Sequence, residues 1–130
     1  MELDLNKILI VDDEKALRMG LSMCLRNVGL EPVEAADGNE ALRMVVEHRP
    51  ALVILDVMMD GMSGLEVCRI LRKNPATRAI KILFLSAKGQ LKEQNAGMEA
   101  GGDYYITKPF EYRELLKIIR GLLEDNRSME

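Results

Sequence analysis

The sequence has no Trp, and its three Tyr and two Phe all fall in the last third, at Phe84, Tyr104, Tyr105, Phe110 and Tyr112. The first 83 residues must therefore build their core from Leu, Ile, Val, Met and Ala. Histidine is almost missing as well. His48 is the only one, which argues against a His-dependent metal site, and against a triad or phosphohistidine site unless His48 itself serves it. Its place just before Arg49-Pro50 suits the end of a helix instead. The two cysteines, Cys24 and Cys68, lie in apolar-periodic stretches without CxxC or Cys/His spacing, and read as reduced, buried thiols of a cytoplasmic protein. No stretch approaches the roughly 20 apolar residues of a membrane helix. The start, MELDLNKILI, carries acids where a signal peptide carries a basic segment. Nor is there an excess of basic charge. A net charge of −3 gives no general attraction to nucleic acid or to an anionic membrane.

What is present is enough for one domain. A chain of 130 residues, 48% of them apolar, buries roughly 69% of its unfolded surface and needs no disulfide or metal staple. The apolar fraction excludes disorder, and the lack of a sustained heptad excludes a coiled coil. Continuous Ile/Val/Leu-rich runs at Ile8–Val11, Leu52–Leu55 and Ile82–Leu85 predict strands buried on both faces of a parallel sheet. Weaker strands are predicted at Pro32–Ala35 and Tyr104–Ile106. Between them runs helical periodicity. One stripe is Leu17, Leu21, Cys24, Leu25 and Val28, closed by Gly29; a second is Ala41, Leu42, Val45 and Val46; a third is Leu65, Cys68 and Leu71. Residues 89–100 carry a weaker pattern, and Leu115 to Leu123 carry the last. Strand and helix alternating five times predict a doubly wound α/β domain over residues 5–124, followed by a polar tail at 125–130.

Three of the buried runs end in polar side chains: ILIVDD at Asp12-Asp13, LVILD at Asp56 and ILFLS at Ser86. In open α/β sheets the ligand crevice lies beyond the carboxyl ends of the strands, so these side chains are expected to converge there with Lys108. Helix capping would account for Asp12-Asp13 alone, but not for Asp56, which precedes the loop VMMDGMSG. Clustered carboxylates repel. Two unit charges about 4 Å apart cost on the order of 4 kcal/mol at an effective dielectric of 20. The cluster therefore calls for a cation, raised pKa values, or both. Oxygen donors without His or Cys suit Mg²⁺ or Mn²⁺ rather than Zn²⁺. A carboxylate beside a metal, a hydroxyl and an ammonium is suited to accept a phosphoryl group, with metal and Lys neutralising the equatorial oxygens as Asp56 attacks.

With those residues placed, the chain resembles the receiver domain of bacterial two-component response regulators over residues 5–124. The matching segments are ILIVDDE, LVILDVMMDGMSGLE, ILFLSA and GGDYYITKPF. The resemblance implies a flavodoxin-like (βα)5 fold: one five-stranded parallel sheet in the order 2-1-3-4-5, with five helices. It implies Asp56 as phosphoacceptor, Asp13 as a direct Mg²⁺ ligand, Asp12 as a ligand through water, and the backbone carbonyl of Met58 as the remaining protein ligand. Ser86 takes the place of the switch hydroxyl and Lys108 that of the phosphate-binding lysine, with a cis bond expected at Lys108-Pro109. Tyr105 takes the place of the switch aromatic, which turns inward as Ser86 moves toward the phosphoryl group. The implied partners are a sensor histidine kinase or phosphotransfer protein, and an unknown output domain or target protein. The target is reached through the face made by residues 89–100, the strand at Tyr104 and the last helix. Monomer and phosphorylation-dependent dimer both stay open.

Several positions depart from the family pattern. Asp60 stands where many receivers have Pro, and Gly61 and Gly64 retain the turn chemistry. Met58 and Lys88, each two residues past a key side chain, are expected to flank the water path and to influence aspartyl-phosphate lifetime. Receivers joined to winged-helix DNA-binding domains commonly carry an Asp and an Arg where this chain has Tyr104 and Ile118. That charged pairing is missing here, and Tyr104, Tyr112 and Ile118 are expected to offer a more apolar face. Met19 and Met23, at i and i+4 off the apolar stripe, are candidates for contact with the kinase helices. Two other functions compete. A haloacid-dehalogenase-type phosphatase also uses an Asp nucleophile with Mg²⁺, but reads Asp-x-Asp where Asp56 is followed by Val57-Met58. A receiver that ignores phosphorylation would not be expected to keep Asp12, Asp13, Asp56, Ser86 and Lys108 together.

Overall fold

The structure is a computed structural model that describes residues 2–128, with side chains as far as Asp125. Its strands are β1 (Asp4–Val11), β2 (Glu31–Ala35), β3 (Pro50–Leu55), β4 (Lys81–Ser86) and β5 (Tyr104–Thr107). The helices are α1 (Lys15–Asn27), α2 (Gly38–His48), α3 (Gly64–Lys73), α4 (Leu91–Glu99) and α5 (Tyr112–Ser128). The strands form one parallel sheet in the order β2-β1-β3-β4-β5. This is the predicted flavodoxin-like (βα)5 arrangement.

Period-two alternation along each strand sorts the aliphatic core onto two faces. Leu9, Val11, Val53, Leu55, Ile82 and Phe84 point to the side covered by α2 and α3, against Ala41, Val45, Val67, Cys68 and Leu71. Ile8, Ile10, Leu52, Ile54, Leu83 and Leu85 point to the other, against Leu21 and Leu25 of α1 and Leu115, Ile119 and Leu123 of α5. Because both faces are covered, the central strands read as unbroken apolar runs. Phe84 is the only aromatic in this core among the described residues.

The helix ends are where the chain declares itself. Gly29 stops α1 at φ +84°, with its N–H donating to Arg26 O and that of Leu30 to Leu25 O, a paired closure of the last turn. Asp37 caps α2 by accepting from Glu40 N at 2.8 Å, and Ser63 caps α3 by accepting from Glu66 N at 3.3 Å. His48 ends α2, as its place before Pro50 suggests.

Two boundaries differ from the sequence reading. β1 begins at Asp4 rather than Ile8, because residues 4–7 are only alternately half-buried and form no apolar run; Asp4 N donates to Arg49 O at 2.7 Å. α5 runs past 124 to Ser128, so part of the expected polar tail continues the helix, while residues 129 and 130 lie outside the described residues.

Candidate functional site

The site forms where β1, β3, β4 and β5 end on one edge. Asp12 and Asp13 follow β1, Asp56 follows β3, Ser86 closes β4 and Lys108 follows β5. The β1 and β3 ends are tied by Asp56 N donating to Val11 O at 3.0 Å, and the β4 and β5 ends by Lys108 N donating to Ser86 O at 2.8 Å. The three carboxylates each bring an oxygen within 4.8 Å of the other two. Lys108 Nζ reaches into this cluster, 3.0 Å from Asp12 Oδ2 and 3.6 Å from Asp56 Oδ2. The Lys108-Pro109 bond is cis.

Asp56 is held by its surroundings. Its side chain is buried, and Met58 N donates to Asp56 Oδ1 at 3.1 Å, folding the following turn back over the carboxylate. Gly64, at the start of α3, lies so close to this strand end that a Cβ there would collide with Asp56 O. The loop's glycine is thus required by close approach. Gly61 takes φ +77°, and Asp60 is exposed beside it. Met58 projects its side chain to solvent.

The charges balance unevenly. Burial pushes the Asp56 carboxyl above its ordinary value; the Met58 N–H and Lys108 pull it down less strongly, and Asp12 and Asp13 add to the rise. For Lys108 burial acts downward, but the bond to Asp12 and the charges of Asp56, Asp12 and Glu14 outweigh it and hold the ammonium above its usual value. One cation among three carboxylates leaves an anionic pocket. Its donors are all hard oxygens, which fits a small divalent ion such as Mg²⁺ or Mn²⁺ and gives Zn²⁺ none of its preferred nitrogen or sulfur ligands.

Ser86 is fully buried, and its Oγ accepts from Lys88 N at 3.1 Å. Tyr105 packs its ring near Phe84, centroids 5.9 Å apart, and over Gly97 of α4, where a Cβ would come within 3.0 Å of Tyr105 Cδ2. Its hydroxyl donates to Lys88 O at 2.5 Å. Burial raises its pKa, against which a hydrogen bond with Ser86 acts. The ring therefore rests against Phe84 and Gly97, with its hydroxyl tied to the backbone two residues past Ser86.

The outer residues divide differently from the sequence reading. Tyr104 and Ile118 do line one groove, with Glu111 and Glu114. Tyr112 does not share it. It packs edge-on to Phe110, centroids 5.4 Å apart, with its hydroxyl against Gly20 of α1. The N-terminal turn of α5 sets this, since residue 112 lies on the α1 side of the helix and residue 118 on the β5 side. Met19 and Met23 are exposed on α1, 53% and 64%.

Sequence reasoning missed two residues beside the site. Arg18 of α1 donates through Nη1 to Asp12 O at 2.7 Å and through Nε to Glu34 Oε1 at 3.1 Å. Glu34, on β2, also accepts from Ser22 Oγ at 3.1 Å. The only hint was an acid inside a weak strand.

Comparison with known proteins gives a consistent result. A family model described as "Response regulator receiver domain" matches residues 8–120. The chain is 42% identical over 120 residues to the DNA-binding response regulator MtrA of Mycolicibacterium paratuberculosis, covering 92% of this chain and 52% of that protein. It thus spans about half the length of the curated relatives it matches. Among solved structures, a CheY-like response regulator receiver domain protein from Methanospirillum hungatei superposes with a TM-score of 0.90 at 28% identity, over 98% of this chain and 100% of that one. The chemotaxis protein CheY4 of Vibrio cholerae gives 0.85 at 31% identity, over 92% and 99%.

Proposed function

The chain belongs to the response regulator receiver domain family, and from that footing we propose that it is the phosphoacceptor switch of a two-component system. A sensor histidine kinase or phosphotransfer protein presents a phosphohistidine. An oxygen of Asp56 forms a bond to phosphorus as the P–N bond breaks, and the electron pair leaves on the donor's imidazole nitrogen. Asp12, Asp13, Asp56 and the backbone carbonyl of Met58 would hold Mg²⁺ or Mn²⁺, which when bound supplies charge neutralisation for the transferring oxygens. Lys108 stands beside Asp56 to pair with the phosphoryl group from the other side. The observation that carries this reading is the meeting of Asp12, Asp13, Asp56 and Lys108 at one sheet edge.

The readout runs through Ser86 and Tyr105. Phosphoryl oxygens draw the Ser86 hydroxyl from its bond with Lys88 N, and Tyr105 follows as a two-state side chain. The ring packed near Phe84 and over Gly97 is read as the inward state, so phosphorylation raises its population rather than creating it. The changed surface is that of α4, β5 and α5, and it controls an output domain or a partner protein. Because MtrA is named as DNA-binding, an output domain of that kind is one reading for a longer protein. The domain itself is proposed to act in the cytoplasm and to bind neither nucleic acid nor membrane. Its net charge is −3, and among the described residues no helix is long and apolar enough to cross a membrane.

Acetyl phosphate or phosphoramidate with Mg²⁺ tests the proposal. Intact mass should rise by one phosphate, and the gain should vanish in Asp56→Asn. A phosphate that persists in Asp56→Asn, or none in the wild type with either donor and with a competent kinase, sinks it. Light scattering with and without beryllofluoride separates a monomer from a phosphorylation-dependent dimer.

A further inference from the structure

We propose that Arg18 is a positioning residue for the acidic pair: anchored by Glu34, its guanidinium fixes the peptide between Asp12 and Asp13 and thereby sets the cation affinity of the site. The inference rests on the proposed function and adds residues outside the family motifs.

Asp12 is restrained at every polar atom. Its N–H donates to Ala35 O at 3.2 Å, Oδ1 accepts from Glu14 N at 2.9 Å, and Oδ2 receives Lys108 Nζ at 3.0 Å. Its carbonyl oxygen accepts from Arg18 Nη1 at 2.7 Å. Asp13 is the opposite case. It is exposed, and its carboxylate has no hydrogen bond or ion pair among the described residues. What orients Asp13 is therefore its backbone. The Asp12 carbonyl belongs to the planar peptide unit that leads into Asp13, so holding that oxygen fixes the plane and limits the rotation that would swing the Asp13 carboxylate away.

Arg18 can do this because it is itself held. Glu34 Oε1 takes its Nε at 3.1 Å, and Glu34 Oε2 is bonded to the buried Ser22 hydroxyl at 3.1 Å. A planar guanidinium can address a carboxylate and a carbonyl together, which an ammonium on a flexible stem does poorly. The same contacts also tie α1 to β2, so a purely structural role has to be separated from a positioning one.

The sign of the effect separates them. Arg18 is a cation near a cation site, so if only its charge mattered, removing it would tighten Mg²⁺ binding. If it only ties α1 to β2, removal lowers stability and leaves affinity alone. Positioning predicts weaker binding, by about tenfold, as for other residues that orient metal ligands.

The experiment is calorimetric titration of the whole chain with Mg²⁺ at fixed ionic strength, with Tm measured on the same samples. Wild type, Arg18→Met, Arg18→Lys and Glu34→Gln are compared with Arg72→Met. Arg72 is a control because it makes a similar clamp far from the site, bonding Asp103, Gly101 O and Ile80 O. The expected result is about tenfold weaker binding in Arg18→Met, an intermediate loss in Arg18→Lys, and unchanged affinity in Arg72→Met despite its lower Tm. Phosphorylation of Arg18→Met by acetyl phosphate should recover to near wild-type rate at saturating Mg²⁺. Affinity in Arg18→Met equal to or tighter than wild type overturns the inference alone. Should Arg18→Met not fold, unchanged affinity in Glu34→Gln overturns it equally. A wild type that binds no Mg²⁺ overturns the proposed function and this inference together.

Discussion

Asp56 carries the site's main electrostatic conflict, because the burial that shields its carboxylate also raises its pKa. The folded protein therefore holds this proton more tightly than the unfolded chain does. The stability that this contributes is complete below the unfolded value of about 3.9 and is lost as pH rises through the higher folded value. At neutral pH without metal, the buried charge is a cost. Asp56→Asn keeps the shape and the Met58 hydrogen bond while removing that charge, so it should melt higher than wild type at pH 7 in EDTA, and the difference should shrink toward pH 4. Equal melting temperatures at pH 7 would refute this. Lys108 has the same sign in another range: its contribution is full below the ordinary lysine value of about 10.4 and is lost only above it. The grouping of Asp12, Asp13, Asp56, Ser86 and Lys108 was legible in the sequence because each lies at or just past the end of a strand, and parallel strands share an edge. Arg18 and Glu34 were not. Their contact joins a helix to a neighbouring strand across 16 residues, and periodicity reports only that Arg18 lies off the apolar stripe.

Among the helices, α4 is the most weakly seated. Within it only Gly97 is buried, while Leu91 and Met98 stand 73% and 46% exposed. By contrast α3 buries Val67, Cys68 and Leu71, and α5 buries Leu115, Ile119 and Leu123. Few buried apolar contacts mean a low cost of local opening. Amide exchange should therefore be faster across Leu91–Glu99 than across α3, and beryllofluoride with Mg²⁺ should slow it; protection of α4 equal to that of α3 would contradict the packing argument. The proposed link to the site is Tyr105, whose ring occupies the space that a side chain at 97 would need. Gly97→Ala puts a methyl within 3.0 Å of that ring and 3.1 Å of Phe84. It should favour the outward ring and reduce the beryllofluoride-induced protection of α4, without abolishing phosphate uptake at Asp56. Undiminished protection in the variant would show that the ring is not the link. Residues 89–100 were the weakest helical pattern in the sequence for the same physical reason: a helix that buries little needs little periodicity. The split between Tyr104 and Tyr112 was hidden because it depends on where α5 starts.

At the scale of the whole molecule, the site closes the sheet rather than decorating it. β1, β3, β4 and β5 all contribute to one edge, and backbone bonds from Asp56 N to Val11 O and from Lys108 N to Ser86 O tie those ends in pairs. The alternating sequence pattern foretold this architecture, since five strand–helix repeats with right-handed crossovers leave one edge for all the strand ends. What it could not supply was the separation that sets the size of the repulsion there, with ligand oxygens of the three carboxylates within 4.8 Å of one another. A cation that relieves it binds only the folded chain, because unfolding scatters Asp12, Asp13 and Asp56 along the sequence. At a hundred times its dissociation constant such a ligand stabilises by about 2.7 kcal/mol. For a domain of this size that is a rise in Tm of roughly 10 °C. Mg²⁺ should produce a shift of this order at pH 7, saturating with concentration, and a much smaller one in Asp13→Asn. It should lessen at pH 4, where protons compete for the same oxygens. A shift that grows without saturating, or that is as large in Asp13→Asn, would mean the ion acts by general screening and that the three carboxylates are not its site.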